Sequence, residues 1–395
     1  MSNNSHWLCC QIGAREHYAI PRALDRLGSL KRLFTDFWIR SDAWPGFKNN
    51  GRFHDGLADG PVTASNAGAL RFELTAKARG YSGWELIEAR NSSFQKFVLT
   101  QLKNNHTNGN GPTPTVFAYS YAADQIFDFA RQRGWKTVLG QIDPGPKEAG
   151  LSRKAANGSC QWDPAPPSYW QQWRRECDLA DHIVVNSDWS LDALVDYGIA
   201  AGKIKVIPLA FEPAKDSATF VRHYPEEFTP DRPLRVLFLG QICLRKGVDA
   251  LFEAIQLLRG EPIEFWFVGP VQVEIPIELR SRARVQWVGR VPRSQTKDYY
   301  RKADVFILPT LSDGFGLTQL EAQSWKLPVI ASRYCGKVVE DGVNGLILPE
   351  VSASAIENAL TTVLRSAEKL QQMSDSSQVS ERFSLASIGS SLVNL

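Results

Sequence analysis

Asp313 and Glu321 are carboxylates with seven residues between them, and those residues let backbone approach a ligand. Gly314 and Gly316 have no side chain, so amides of the loop Gly314-Phe315-Gly316-Leu317-Thr318 can come close to an anion. Within Asp304–Glu321, an apolar run ending at Pro309 reads as a buried strand, and a helix is expected to open near Leu317. The first N–H groups of a helix are unpaired and carry the positive end of its dipole, which suits an anion. Glu321 falls about one turn inside that helix and leans back toward its start. The result is an anion cradle flanked by two hydroxyl-binding acids, and phosphate plus sugar hydroxyls is what a nucleotide sugar presents.

A second constellation precedes it, Gly240-Gln241-Ile242-Cys243-Leu244-Arg245-Lys246-Gly247. It lies between a strand-like run, 234–239, and a helical pattern, 248–259, so its cations stand at the carboxyl end of a strand. A diphosphate carries about two negative charges; Arg245 can bind one phosphate bidentately while Lys246 acts as a point charge. A solvated basic turn is the plainer reading, and the acid-flanked loop in the same half of the chain weighs against it. Near the N-terminus an apolar run, 7–12, meets Gly13-Ala14 and then a helical pattern to about Leu27, the opening of a βαβ unit. His17 follows that turn and could face a cleft.

The segment 143–167 holds Pro144, Pro146, Pro164, Pro166 and Pro167 and reads as a long irregular loop, a feature that is often functional. With the helical run after it, it supplies Trp162, Tyr169, Trp170 and Trp173, either an acceptor platform or ordinary core packing. The cysteines (Cys9, Cys10, Cys160, Cys177, Cys243, Cys335) form no CxxC pair and the histidines are scattered, so no metal site is expected.

The elements that position these groups alternate strand and helix twice over. Runs such as VLFLG at 236–240 and VFILP at 305–309 are apolar throughout, as strands covered on both faces should be. The expected fold is α/β, with two doubly wound, Rossmann-like domains facing a central cleft. The boundaries are 1–210, a proline-rich linker at 211–233 and 234–379, with a terminal helix at about 380–395 packing back on the first domain. At 395 residues the chain can hold two such domains, and a net charge of +3 gives no argument for nucleic acid. No apolar run of about 18 residues suggests a membrane span, and the first residues lack the pattern of a signal peptide. A cytoplasmic location is therefore expected. The mixed basic and aromatic stretch 71–103 is either a peripheral contact with the inner face of an anionic membrane or a solvated pair of helices.

Three stretches resemble one family. These are GQICLRKG at 240–247, VQWVGRVPRSQTKDYYRKADVFILPTLSDGFGLTQLEAQSWKLPVIAS at 285–332, and VVEDGVNGLILP at 338–349. They look like the C-terminal domain of the retaining glycosyltransferases of family four, with the GT-B fold. The stretch 182–212 is similar to that family's approach to its hinge, and 1–180 matches only loosely. The resemblance implies transfer of a hexose from a UDP- or GDP-type sugar to a glycan, lipid-linked or small-molecule acceptor, with no metal and no other cofactor. It implies that Arg245 and Lys246 hold the diphosphate. Gly314, Phe315, Gly316, Leu317 and Thr318 would meet phosphate and sugar, Asp313 the sugar hydroxyls, Glu321 the ribose, and Arg290 and Val291 the base. Gly13 and Ala14 would lie near the donor phosphate.

Three positions depart from the family pattern. Asp313 stands for a longer Glu, Gln241 for an Arg that also meets the diphosphate, and no histidine ends the strand at 136–142. Gln141 or Asp143 could take the place of that histidine, or Asp143 could simply shape a turn before Pro144. The alternative function is a non-catalytic sugar-nucleotide-binding homologue acting as a partner subunit. A dinucleotide-dependent oxidoreductase ranks last, because no G-x-G-x-x-G follows the first strand.

Overall fold

The computed structural model describes residues 6–40, 51–105, 113–156 and 164–395. The first sheet holds β1 (Trp7–Gln11), β2 (Leu30–Thr35), β3 (Val62–Ala64), β4 (Thr115–Tyr119), β5 (Lys136–Gly140), β6 (His182–Val185) and β7 (Ile204–Val206). Its order is β3-β2-β1-β4-β5-β6-β7, and all its pairs are parallel. The second sheet holds β8 (Leu234–Leu239), β9 (Ile263–Val268), β10 (Val285–Gly289), β11 (Val305–Leu308), β12 (Val329–Ser332) and β13 (Gly345–Leu348). Its order is β10-β9-β8-β11-β12-β13, again parallel.

The strands are apolar because helices cover both faces. Every residue of β1, β4, β11 and β12 is buried. Strand order reverses where β1 lies between β2 and β4, and again where β8 lies between β9 and β11. A crevice opens beyond the carboxyl ends of strands at such a switch point, and ligands of this architecture bind there. The segments leading from β1, β4 and β5 in one sheet and from β8 and β11 in the other therefore face each other.

Two findings concern the connections. The stretch 211–233 is not a loose tether. Buried Arg222 donates to the carbonyls of Tyr300, Arg301, Ala303, Trp325 and Lys326, and Arg232 pairs with Asp304 at 2.7 Å. Phe228 joins the core of the second sheet. The terminal helix Leu385–Val393 lies on the first domain, its Ile388 and Leu392 sharing a core with Ile20 and Leu24. A Cβ on Gly389 would stand 3.0 Å from the carbonyl oxygen of Ala23, so glycine lets those two helices come together. Where the chain leaves and returns, Phe211 N–H donates to the Phe383 carbonyl at 2.8 Å.

The segment 143–167 differs from expectation. Pro146–Ala156 is a helix, and a second helix, Pro167–Leu179, follows. Proline is well placed in the first turn of each, and Lys147, Glu148, Ala149 and Leu151 are good helix formers. The basic and aromatic stretch folds as helices Asn66–Ala78 and Gly83–Asn105. Among the described residues no helix is long and apolar enough to cross a membrane.

Candidate active site

The loop after β8 forms a short 3-10 turn, Leu244–Lys246, closed by Gly247 at φ 70°. That turn directs Arg245 and Lys246 at the loop after β11. Lys246 pairs with Asp313, and Arg245 donates to the Ser312 carbonyl at 2.8 Å. Burial raises the Asp313 carboxyl, but Lys246 and Arg245 outweigh it and hold that group below its usual range. Asp313 also accepts from Phe315 N–H at 3.3 Å. Among the described residues the N–H groups of Gly314, Gly316, Leu317 and Thr318 have no protein acceptor. Two cations and a run of open amides thus face one point. The helix behind them, Thr318–Ser324, is short, so local amides and side chains contribute more here than a long dipole would.

Glu321 lies farther along the cleft. Tyr300, 1% exposed, donates its hydroxyl to Oε2 of Glu321 at 2.7 Å, and Arg293 stands 3.8 Å from Oε1. Arg293 also meets Nε2 of His17 across the cleft. Burial first, then Arg293, pushes His17 below its ordinary range, in keeping with a neutral ring. Glu321, Leu317, Arg293, His17, His54, Arg22 and the hinge residues Ala210–Glu212 line one cavity. Arg290 and Val291 follow β10; Arg290 is exposed and Val291 packs on the second core. Gln241 is exposed at the mouth of the β8 loop.

The turn after β1 is strained. Glu16, His17 and Tyr18 all have positive φ, 49°, 52° and 59°, at about 1–2 kcal/mol each. Tyr119 hydroxyl to Glu16 at 3.2 Å and complete burial of Tyr18 hold the turn in place. Gly13, at φ 77°, spends its N–H on Asp36 at 2.9 Å, and Arg52 grips the same carboxylate. Gly13 therefore shapes the turn instead of offering its amide to a phosphate, and Ala14 is left half-buried beside it.

Beyond β5, Gln141 and Asp143 part company. Gln141 is 4% exposed; its carbonyl accepts the Trp173 indole N–H at 3.0 Å, and its amide donates to the Asp143 carbonyl at 2.9 Å. Asp143 accepts from the Tyr121 hydroxyl at 2.7 Å and Gly145 N–H at 2.8 Å, both on Oδ1. Its Oδ2 has no protein partner among the described residues. Of the two, only Asp143 presents an open group.

The aromatic platform divides in the same way. Trp173 is 3% exposed and holds Gln141, so it belongs to the core and not to an acceptor surface. Tyr169 stacks on Tyr121 with centroids 4.6 Å apart, and Trp170 meets Tyr169 edge-on at 5.4 Å; both are half-buried. Trp162 lies outside the described residues. Phe315 turns its ring away from the cleft onto Phe383, 5.9 Å between centroids, so only its backbone can meet a ligand.

Several groups in the cleft had no local signature in the sequence. Glu148 reaches across from the helix Pro146–Ala156: Ser312 Oγ donates to its Oε2 at 3.0 Å, and Arg245 Nη1 is 3.6 Å away. Trp189 indole N–H donates to Ser312 Oγ at 3.0 Å, and Ser187 Oγ to the Gly314 carbonyl at 2.6 Å. Only the Asp143–Pro167 segment, singled out for its prolines, pointed near Glu148. Among the described residues no three His, Cys, Asp or Glu side chains cluster closely enough to hold a metal ion.

Comparison with known proteins places this geometry. Residues 233–366 match the family model described as Glycosyl transferases group 1. A D-inositol 3-phosphate glycosyltransferase of Kineococcus radiotolerans is 30% identical over 224 residues, 47% of this chain and 50% of that protein. The chain spans between 42% and 50% of the length of the first three curated relatives it matches. The sucrose-phosphate synthase of Thermosynechococcus elongatus superposes with TM-score 0.66 at 17% identity, covering 99% of this chain and 98% of that one. Anabaena HepE, solved with UDP and glucose, gives TM-score 0.61 at 15% identity, with coverages of 99% and 98%. The switch points, the facing loops and these matches lead to one assignment: the chain has the GT-B fold, and residues 233–366 of its second domain match the Glycosyl transferases group 1 model.

Proposed function

We propose that this protein is a metal-independent, retaining glycosyltransferase of family four that moves a hexose from a UDP- or GDP-type sugar to a glycan, lipid-linked or small-molecule acceptor. The observation that carries the reading is the convergence of Arg245 and Lys246 on Asp313, beside the open amides of Gly314, Gly316, Leu317 and Thr318. In the reaction, the bond from the anomeric carbon to the phosphate oxygen breaks and a bond to the acceptor oxygen forms on the same face. Negative charge grows on the leaving diphosphate, where fixed cations and amide dipoles stabilise it most. The acceptor's proton passes to a leaving phosphate oxygen, so no protein nucleophile is required. Asp313 would hold the sugar hydroxyls and Glu321, fixed by Tyr300, the ribose. Asp143 would contact the sugar from the first domain, and His17, Tyr169 and Trp170 border the acceptor side.

HepE was solved with UDP and glucose, which makes UDP-glucose the first donor to try here. The reading is tested by Arg245→Ala and Glu321→Ala, each assayed for transfer or donor hydrolysis with melting temperature as the fold control. Loss of turnover in both is expected. Turnover near wild type in both overturns it.

A further inference from the structure

Both cations assigned to the diphosphate already have a carboxylate. Lys246 has Asp313, from its own domain. Arg245 has Glu148, which comes from the opposite domain, and that contact is built: Trp189 holds Ser312 Oγ, which donates to the carboxylate that faces Arg245. Arg245 and Glu148 are both mostly buried, with side chains 23% and 19% exposed. Asp143 and Asp313 also face Glu148. On its own helix, Lys147 turns away to pair with Asp196 and to lie over the Trp189 ring. The cleft therefore sets three carboxylates, Glu148, Asp143 and Asp313, against two cations, Arg245 and Lys246. A diphosphate adds about two more negative charges at the same place. A buried excess of that kind is costly unless one carboxylate loses its charge or leaves.

We propose that Glu148 is a positioning residue of the donor site, which holds Arg245 in the donor-free protein and yields it to the donor's phosphate by taking up a proton. This rests on the diphosphate reading of Arg245. Glu148 suits the role chemically: burial, with help from Asp143 and Asp313 and against Arg245, pushes its carboxyl up to about 7. A phosphate alongside raises it further. The sign follows by linkage. The bound state holds the proton more tightly than the free state, so binding takes up a proton and donor affinity falls as pH rises above about 7.

The test measures binding of UDP-glucose and GDP-mannose to the full chain by calorimetry between pH 6 and pH 8.5. Nucleotide sugars are used because a free terminal phosphate itself titrates near pH 6. Two buffers of different ionisation enthalpy count the protons. Wild type is expected to take up a fraction of a proton near pH 7, rising toward one in the alkaline arm, where binding weakens by up to about tenfold per pH unit. Glu148→Gln is expected to bind several-fold tighter at pH 8, with a flat profile and a lower donor KM. Ser312→Ala, which frees the carboxylate from its hydroxyl, should move the same way by less and serves if Glu148→Gln does not fold. An unchanged pH profile in the variants, or weaker binding by Glu148→Gln at every pH, overturns the role of Glu148 alone. Failure of wild type and variants to bind either nucleotide sugar overturns the donor reading, and this inference with it.

Discussion

Gly314→Ala separates the fold of each domain from their closure on each other. Gly314 does not have a left-handed φ, so alanine fits its backbone. The added Cβ would stand 2.7 Å from the Ile142 carbonyl oxygen and 3.0 Å from Asn186 Nδ2, both in the first domain. Ordinary carbon–oxygen contacts begin near 3.3 Å, so the loop and the opposite domain must part by roughly 0.6 Å. The Ser187 bond to the Gly314 carbonyl and the Trp189 bond to Ser312 cross the same seam and are stretched or lost. At about 1 kcal/mol per bond, plus about 1–2 kcal/mol of overpacking, closure weakens by about 3–4 kcal/mol. The closed fraction relative to the open one then falls by roughly two to three orders of magnitude. Donor kcat/KM should drop accordingly while the melting temperature stays put, and solution scattering should report a larger radius of gyration. Gly150→Ala is the control: it lies mid-helix with nothing within 4 Å of a Cβ, and should gain up to about 1 kcal/mol of stability with transfer intact. Gly314→Ala with transfer within threefold of wild type would refute the claim that this closed arrangement is the working one.

Tyr300→Phe removes a charge-assisted hydrogen bond to Glu321 worth about 1.5–3 kcal/mol, so donor kcat/KM should fall about tenfold or more; unchanged kinetics would mean that Glu321 needs no such support. Arg222→Ala strands buried carbonyls at Tyr300, Ala303 and Trp325 and should cost at least about 3 kcal/mol in a denaturant titration; a loss under about 1 kcal/mol would show that the linker is not pinned there. Burial pushes the Glu16 and Glu176 carboxyls up to about 7 from 4.5. Their protonated forms favour the fold, so that contribution is complete below about pH 4.5 and is lost as pH rises through about 7. The melting temperature should fall from pH 5.5 to pH 8 and Glu16→Gln should flatten part of that slope; a rise over the same range would contradict the direction.

The second domain was legible because its chemistry is local in sequence. Arg245 and Lys246 are adjacent, and Asp313 to Thr318 is one loop, so a strand, a turn and a spacing carry the whole constellation. What completes the site is not local. Tyr300 supports Glu321 across 21 residues, and Glu148 meets Ser312 across 164, distances at which periodicity has nothing to say. Prolines misled at Pro146, which opens a helix instead of breaking the chain, whereas the helix after Pro167 was expected. Trp173 failed as a platform because a buried indole seeks an acceptor, and Gln141 supplied one. The same exchange divides the pair at the end of β5: the Gln141 amide is spent on the core, and Asp143 keeps one carboxylate oxygen without a protein partner among the described residues.

The position of the hinge then orders events in the cleft. Arg222, Phe228 and Arg232 fix the linker to the second domain, and Leu385–Val393 fixes the returning chain to the first. Motion that spares both cores is left to the neighbourhood where Phe211 and Phe383 run side by side. The cavity around Glu321 is lined by hinge residues Ala210, Phe211 and Glu212, so a small rotation there changes it little. The contacts among Glu148, Ser312, Trp189 and Arg245 include no hinge residue, and the same rotation parts them. On the donor reading proposed above, a nucleoside would reach that cavity while the cleft is ajar, before its phosphate and Glu148 compete for Arg245. Closure on the donor would then depend on the outcome of that competition, which would couple domain movement to the protonation of one carboxylate.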